Sequence, residues 1–330
     1  MMGRVSIKDI AGKTGVSTAT VSLVLNGKDK CGRISEALSE KIRETAKSMN
    51  YKPNGFAKAL RSGRSETIGL VVADISNPFF AHLAFHIQEH ADGYGYSVII
   101  TNTNESTEKM EKRVAILKCR QVDGFIVVPT ENGNRCIEEL HENNIPVVLL
   151  DRYFPEMPSH YVGVSNFHAS LEATEYLLTL GCRKIALFTY KTTLRHAQER
   201  RDGYVAALAS RNLYDSRLIK EVNHSTITED INRSVQELIS GQNEIDGIFF
   251  TTNTISSIGL KKLREMQVHV PNDIKVICFD KSESFAFSNI PFVQQPIAEM
   301  GRQAVDIIVE QIRDRNQSPV HVELKTELIV

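Results

Sequence analysis

Residues 6–26 read Ser6-Ile7-Lys8-Asp9-Ile10-Ala11-Gly12-Lys13-Thr14-Gly15-Val16-Ser17-Thr18-Ala19-Thr20-Val21-Ser22-Leu23-Val24-Leu25-Asn26. Ser6 stands where an N-cap would, and Asp9 three positions on completes a capping box and suits the positive end of the helix dipole. Ile7, Ile10 and Ala11 share one helical face. Gly15 permits a sharp turn, Ser17 caps again, and Val21, Val24 and Leu25 form one stripe of a second helix. Asn26-Gly27 then ends it as helices commonly end. Two short helices joined by a glycine turn, with Thr18, Thr20 and Ser22 at the polar, outward N-terminal end of the second, predict a helix-turn-helix. That shape presents its second helix to the major groove of DNA.

A helical hairpin that only packs would carry the same caps, and charge separates the two readings. Residues 1–64 hold 13 Lys+Arg against 5 Asp+Glu, while the whole chain has a net charge of −1. Positive charge gathered in one terminal fifth of a near-neutral chain is charge presented to a polyanion.

At 330 residues the chain suits a small head plus one or two larger lobes. A hydrophobic fraction of 42% excludes disorder along its length, and no apolar run approaches the ~20 residues of a membrane helix. The N-terminal region is a polar helix pair where an export signal would be apolar, so a cytoplasmic protein with no membrane partner is expected. Cys31, Cys119, Cys136, Cys182 and Cys278 are scattered and odd in number, without a Cys-x-x-Cys pair. They read as reduced thiols, with no metal site and no cofactor.

Downstream, Ser35 caps a third helix whose Leu38, Ile42, Thr45, Ala46 and Met49 are spaced for burial. Tyr51-Lys52-Pro53-Asn54 stops it, because the residue before proline is pushed out of the helical region. The segment 53–65 joins head to body with Phe56, Ala57, Ala59 and Leu60 set among basic residues. That is enough for one or two helical turns, which need a partner to be stable. From Ile68 short apolar strands alternate with amphipathic helices, in two sets, predicting two doubly wound parallel-sheet lobes with a cleft between them.

The blocks Ile7-Lys8-Asp9-Ile10-Ala11, Gly15-Val16-Ser17, Thr20-Val21-Ser22, Val24-Leu25-Asn26-Gly27, Tyr51-Lys52-Pro53-Asn54, Ala57-Lys58-Ala59-Leu60-Arg61 and Thr67-Ile68-Gly69-Leu70 resemble the LacI/GalR family of bacterial transcription factors over essentially the full length. The resemblance implies a helix-turn-helix domain over 1–52, a hinge helix over 53–65 and a periplasmic-binding-protein-like body over 66–330. In that body the first lobe takes 66–161 and 293–318, and the second 162–291 and 319–330, with crossings near Tyr161, Pro291 and Pro319. It implies a homodimer on a pseudo-palindromic duplex operator, with the nucleoid as its place of work, repressing carbohydrate-utilisation genes. DNA contacts are implied for Ser6, Ser17, Thr18, Ala19, Thr20, Ser22, Leu23, Asn26, Tyr51, Asn54, Ala57, Lys58, Leu60 and Arg61. Thr18, Ala19 and Leu23 match base-reading positions, and Leu60 matches a side chain that wedges into the minor groove. Leu23 departs from the basic residue or histidine often found there.

In an open α/β sheet the ligand sits beyond the carboxyl ends of the strands. Those ends supply Asn77, Phe79 and Phe80; Asp151 and Arg152; Asn253; and Asp280. Arg200 and Gln295 complete the set. Aromatic faces suit the apolar side of a sugar ring, while Asp, Asn, Gln and Arg suit its hydroxyls. The set resembles that of sugar-responsive relatives more than purine-responsive ones, with Thr254 departing from an Asp common there. Lys191 and Arg201 leave a sugar phosphate open. A receptor of the periplasmic type would need an export signal and no basic head. An α/β enzyme would show a nucleophile elbow, a P-loop, a dinucleotide glycine pattern or a metal cluster, and none is found, so no catalytic residues are expected.

Overall fold

The computed structural model describes residues 5–27, 29, 34–51, 63–241, 244–281 and 289–330. They form two compact units that divide between Ser65 and Glu66, each with its own core.

The smaller unit contains α1 (Ile7–Thr14), α2 (Thr18–Leu25) and α3 (Glu36–Ser48). The Asp9 carboxylate accepts from both the backbone N–H and the hydroxyl of Ser6, at 2.8 and 2.7 Å. Gly15 closes α1 at φ +75°, a left-handed conformation that glycine adopts without a Cβ penalty. Ser17 Oγ accepts the N–H of Thr20 at 3.1 Å, and Ser35 Oγ that of Leu38 at 3.4 Å. Helices this short are marginal alone. Burial of Ile10, Val21, Val24 and Ile42 with Ala11 and Ala46 holds them together, with Leu38, Met49 and Tyr51 half-buried at the rim. Ahead of α3, Asp29 is held below the usual carboxylate range by the Ser39 hydroxyl and its partner Arg43.

The larger unit is two six-stranded sheets. The first lobe runs β1 (Thr67–Val72), α4 (Pro78–Gly93), β2 (Ser97–Asn102), α5 (Thr107–Cys119), β3 (Gly124–Val127), α6 (Asn134–Glu142), β4 (Val147–Leu150) and β5 (His160–Val164). The second runs α7 (Asn166–Thr179), β6 (Ile185–Tyr190), α8 (Arg195–Ala209), β7 (Ile219–Val222), α9 (Ile227–Ser240), β8 (Gly247–Phe250), α10 (Asn253–Glu265), β9 (Lys275–Phe279) and β10 (Phe292–Gln294). The chain then continues through α11 (Ile297–Arg313), β11 (His321–Leu324) and β12 (Glu327–Ile329). Strand orders are β11-β5-β4-β3-β1-β2 and β12-β10-β9-β8-β6-β7. Every described pairing is parallel except β10 with β12. Strands β3, β4 and β8 are buried at every position, as strands covered by helices on both faces must be. The winding reverses at β1/β3 and at β6/β8, and such switch points open a crevice at the carboxyl ends.

Strand pairing sets the lobe boundaries. β5 belongs to the first sheet, so the first crossing falls just after Val164, near Tyr161 as expected. β11 pairs with β5 in register His321↔Tyr161 to Leu324↔Val164, while β12 pairs with β10. The last crossing is therefore at Lys325–Thr326 and not near Pro319. Residues 321–329 carry no glycine or proline to mark a break. The partner strands, and not local turn chemistry, decide where one edge strand becomes two.

Candidate functional site

All nine effector-site residues expected from the sequence line one cavity of about 460 Å³ in the larger unit. Asn77 caps α4, its Oδ1 accepting the N–H of Phe79 at 3.0 Å. The same side chain meets Asn253, at the start of α10 in the other lobe. Asn77 Nδ2 donates to Asn253 Oδ1 at 3.1 Å, and Asn253 Nδ2 donates back to Asn77 Oδ1 at 2.7 Å. Thr254 Oγ1 accepts from Asn77 Nδ2 at 3.3 Å, so the residue that departs from the family pattern takes part in this inter-lobe contact. Phe79 and Phe80 meet edge-to-face, with ring centroids 5.0 Å apart. They line the cavity and also belong to the hydrophobic core.

Arg152 follows β4, and both of its Nη atoms donate to Glu105, at 2.6 and 2.7 Å. Burial works against the guanidinium charge, but the paired Glu105 outweighs it and the pKa of Arg152 is raised. Burial likewise opposes ionisation of Glu105, yet Arg152 holds that carboxyl below its ordinary value. Arg200, in α8, donates from Nε to Asn166 Oδ1 at 2.8 Å and from Nη1 to the Thr251 carbonyl at 2.7 Å. Its guanidinium carbon lies 3.5 Å from the Phe279 ring centroid. Burial lowers its pKa, with Asp151 and Asp280 pulling the other way. Burial raises Asp151 despite Arg152 and Arg200. It lifts Asp280 to about 6, although Arg200 and the Gln295 amide, which donates from Nε2 at 2.8 Å, favour the charged form. These residues alternate rigid donors with carboxylate acceptors, and that set can hold a polyhydroxylated ring.

Asp74, which opens the strand-end stretch carrying Asn77, lines the cavity too; sequence reasoning missed Glu105, Tyr190, His196 and His224, which also line it. Glu105 and Asn104 follow β2, Tyr190 ends β6 and His224 follows β7. Inspecting the ends of β2, β6 and β7 as well would have found Glu105, Tyr190 and His224; His196 lies in α8 and has no such signal. The rings of Tyr190 and His224 stack at 3.8 Å with an 11° tilt, an aromatic wall contributed by the second lobe. Burial pushes the Tyr190 hydroxyl up to about 12 and lowers both histidines, His196 strongly. Lys191 and Arg201 do not line the cavity; Arg201 donates to Glu221 at 2.9 Å on the surface.

In the smaller unit Ser6, Ser17, Thr18, Ala19, Leu23 and Asn26 are exposed, and Thr20, Ser22 and Tyr51 are half-buried. Thr20 and Ser22 are thus less outward than their polarity suggested. Thr20 Oγ1 is 2.9 Å from Ser17 Oγ, and the Ser22 carbonyl accepts from Asn26 Nδ2 at 2.5 Å. Leu23 is 43% exposed on the α2 surface, an apolar side chain that the head's core does not use. Asn54, Ala57, Lys58, Leu60 and Arg61, and the hinge helix expected to carry them, lie outside the described residues. Among the described residues no group of three or more His, Cys, Asp or Glu is placed to hold a metal ion. No helix among them is long and apolar enough to cross a membrane.

Residues 65–329 match the family model for periplasmic binding proteins and the sugar-binding domain of the LacI family, and residues 6–54 match that for bacterial regulatory proteins of the lacI family. The chain belongs to the LacI family. A ribose operon repressor of Halalkalibacterium halodurans is similar to this LacI-family protein at 31% identity over 328 residues, covering 98% of this chain and 96% of that one. The transcriptional regulator KdgR of Bacillus subtilis is 28% identical, over 99% and 97% of the two chains. Among solved structures, a complex of the transcriptional regulator CelR with cellobiose covers 99% of both chains at 26% identity and TM-score 0.73. A lac repressor dimer bound to operator and the anti-inducer ONPF aligns at TM-score 0.86 and 20% identity, over 99% of this chain and 98% of that one, and shows the shared fold. This LacI-family chain is a DNA-binding transcriptional regulator, and its relatives are regulators too.

Proposed function

We propose that this protein represses carbohydrate-utilisation genes by binding a pseudo-palindromic operator as a homodimer, and that a sugar held in the inter-lobe cavity controls that binding. The observation that carries the reading is the cavity itself. Both lobes contribute its walls, Phe79 and Phe80 from one and the Tyr190–His224 stack from the other, around a ring of Asp, Asn, Gln and Arg side chains. Relatives named for ribose operon repression, and one in complex with cellobiose, support a carbohydrate ligand.

The head spans residues 1–52, the linker 53–65 and the effector body 66–330. Thr18, Ala19 and Leu23 read bases. Two heads sit roughly 34 Å apart in successive major grooves, and Leu60 of each linker enters the minor groove between them. Sugar binding changes the angle between the lobes and so the separation of the linkers. Its leverage equals the sugar's differential affinity for the two states, typically about 1–3 kcal/mol. Asp151 and Asp280 act as hydrogen-bond acceptors for hydroxyls and not as an acid–base pair, so the sugar leaves unchanged. The protein works in the cytoplasm, on the nucleoid.

The test is a thermal-shift screen of sugars on the full-length protein, followed by operator binding with and without each sugar that responds. A stabilising sugar that changes operator affinity supports the reading. Preference for no DNA sequence over bulk DNA, with or without any sugar, rejects it.

A further inference from the structure

The cavity is lined by four carboxylates, Asp74, Glu105, Asp151 and Asp280, against two guanidinium groups, Arg152 and Arg200. Arg152 presents no open fork, and Arg200 is left with only part of one. The two Nη atoms of Arg152 are spent on the two oxygens of Glu105, and its Nε faces Asp151 Oδ2 at 3.5 Å. Arg200 spends Nε and Nη1 on Asn166 and Thr251. Both histidines are held toward the neutral form: burial, Arg152 and Arg200 depress His196, and burial depresses His224 although Glu105 pulls it back.

An arginine fork is the side chain best matched to a phosphate or carboxylate of a ligand. Here the matching anion is built in. Glu105 is aimed at Arg152 by two consecutive left-handed residues, Asn104 at φ +50° and Glu105 at φ +59°. Its side chain is 19% exposed, against 8% for Arg152. A ligand phosphate could reach the fork only by expelling Glu105, which would leave a mostly buried carboxylate without its partner beside an arriving anion.

We infer that the cavity selects an uncharged sugar over its phosphorylated or uronic-acid counterpart, and that Glu105 makes the selection by closing the Arg152 fork. The inference rests on the sugar reading above and narrows the ligand to one charge class.

The experiment uses the full-length protein and matched probes: D-ribose with its 5-phosphate, and D-glucose with its 6-phosphate and D-glucuronate. Melting shifts are followed by calorimetry. The wild type is stabilised by the uncharged member of a pair and not by its anionic partner. Glu105→Gln raises affinity for the anionic partner relative to the uncharged one by about tenfold or more, because the fork is opened. Glu105→Asp, which keeps the charge, keeps the wild-type discrimination. Wild-type binding of the anionic member as tightly as the uncharged one, or more tightly, overturns the inference and leaves the sugar reading standing. So does a Glu105→Gln variant that shifts both members equally. No response of the wild type to any sugar, charged or uncharged, overturns the sugar reading and the inference together.

Discussion

Asp151 and Asp280 occupy equivalent places in the two lobes. Each follows a buried strand, β4 or β9, at φ +66°. Each donates its backbone N–H to the adjacent strand, Asp151 to the Val162 carbonyl at 2.8 Å and Asp280 to that of Val293 at 2.9 Å. The left-handed turn, which aspartate tolerates better than most residues, takes the chain off the end of the sheet where the cavity lies. Both aspartates pull the pKa of Arg200 upward against its burial, so one guanidinium serves two acids.

The pH dependence follows from Asp280. Its folded pKa, about 6, is raised above the ordinary 3.8, so the folded chain holds a proton that the unfolded chain gives up. That contribution to stability is fully present below the ordinary carboxylate range and is lost as pH rises through about 6. Asp280→Asn therefore raises the melting temperature at neutral pH, by a few degrees for each ~1 kcal/mol relieved. A hydroxyl donating to the carboxylate favours its charged form, so sugar binding expels a proton and tightens as pH rises toward about 6, levelling off above it. Calorimetry in two buffers of different ionisation enthalpy measures that proton, and Asp280→Asn abolishes it. A pH-independent affinity in the wild type excludes the role.

The Asn77–Asn253 exchange holds the lobes together with two hydrogen bonds. Each buried amide bond contributes about 1 kcal/mol net. Asn77→Ala and Asn253→Ala should each weaken sugar binding by roughly tenfold, with a double-mutant coupling of about 1–2 kcal/mol. Additive losses would mean that the two amides act separately and that the contact does not report closure.

Leu23 is exposed on α2 and cannot fork onto guanine, so operators selected from random DNA should lack an obligatory G at the position it faces. Leu23→Arg should create a preference for G there of about 1–3 kcal/mol. An obligatory G in the wild-type selection removes this assignment.

Gly203 lies where α7 and α8 approach closely. A Cβ there would stand 2.3 Å from the Phe167 carbonyl oxygen and 2.8 Å from the Leu171 nitrogen, both backbone atoms that cannot rotate away. Gly203→Ala should cost about 1–3 kcal/mol or more, read as a lower urea midpoint for the body with the m-value unchanged. An unchanged midpoint would mean that the two helices separate freely.

The chain's own order of residues was enough for the head, because Ser6, Gly15, Ser17 and Ser35 each act on backbone groups within three or four positions. It was also enough for the alternation of buried strands and helices, and for the nine cavity residues, since the ends of parallel strands must face a crevice. It could put Glu105 at a strand end but could not pair it with Arg152. The partner of Glu105 is 47 positions away, and its direction depends on a left-handed turn that no local motif announces. Nor could it separate β11 from β12 within one polar–apolar run, because each takes its lobe from the strand it pairs with. Caps, turns and periodicity are short-range and written locally. Strand partners, the pairing of Asn77 with Asn253 and the closing of the Arg152 fork are long-range, and only packing of the whole chain decides them.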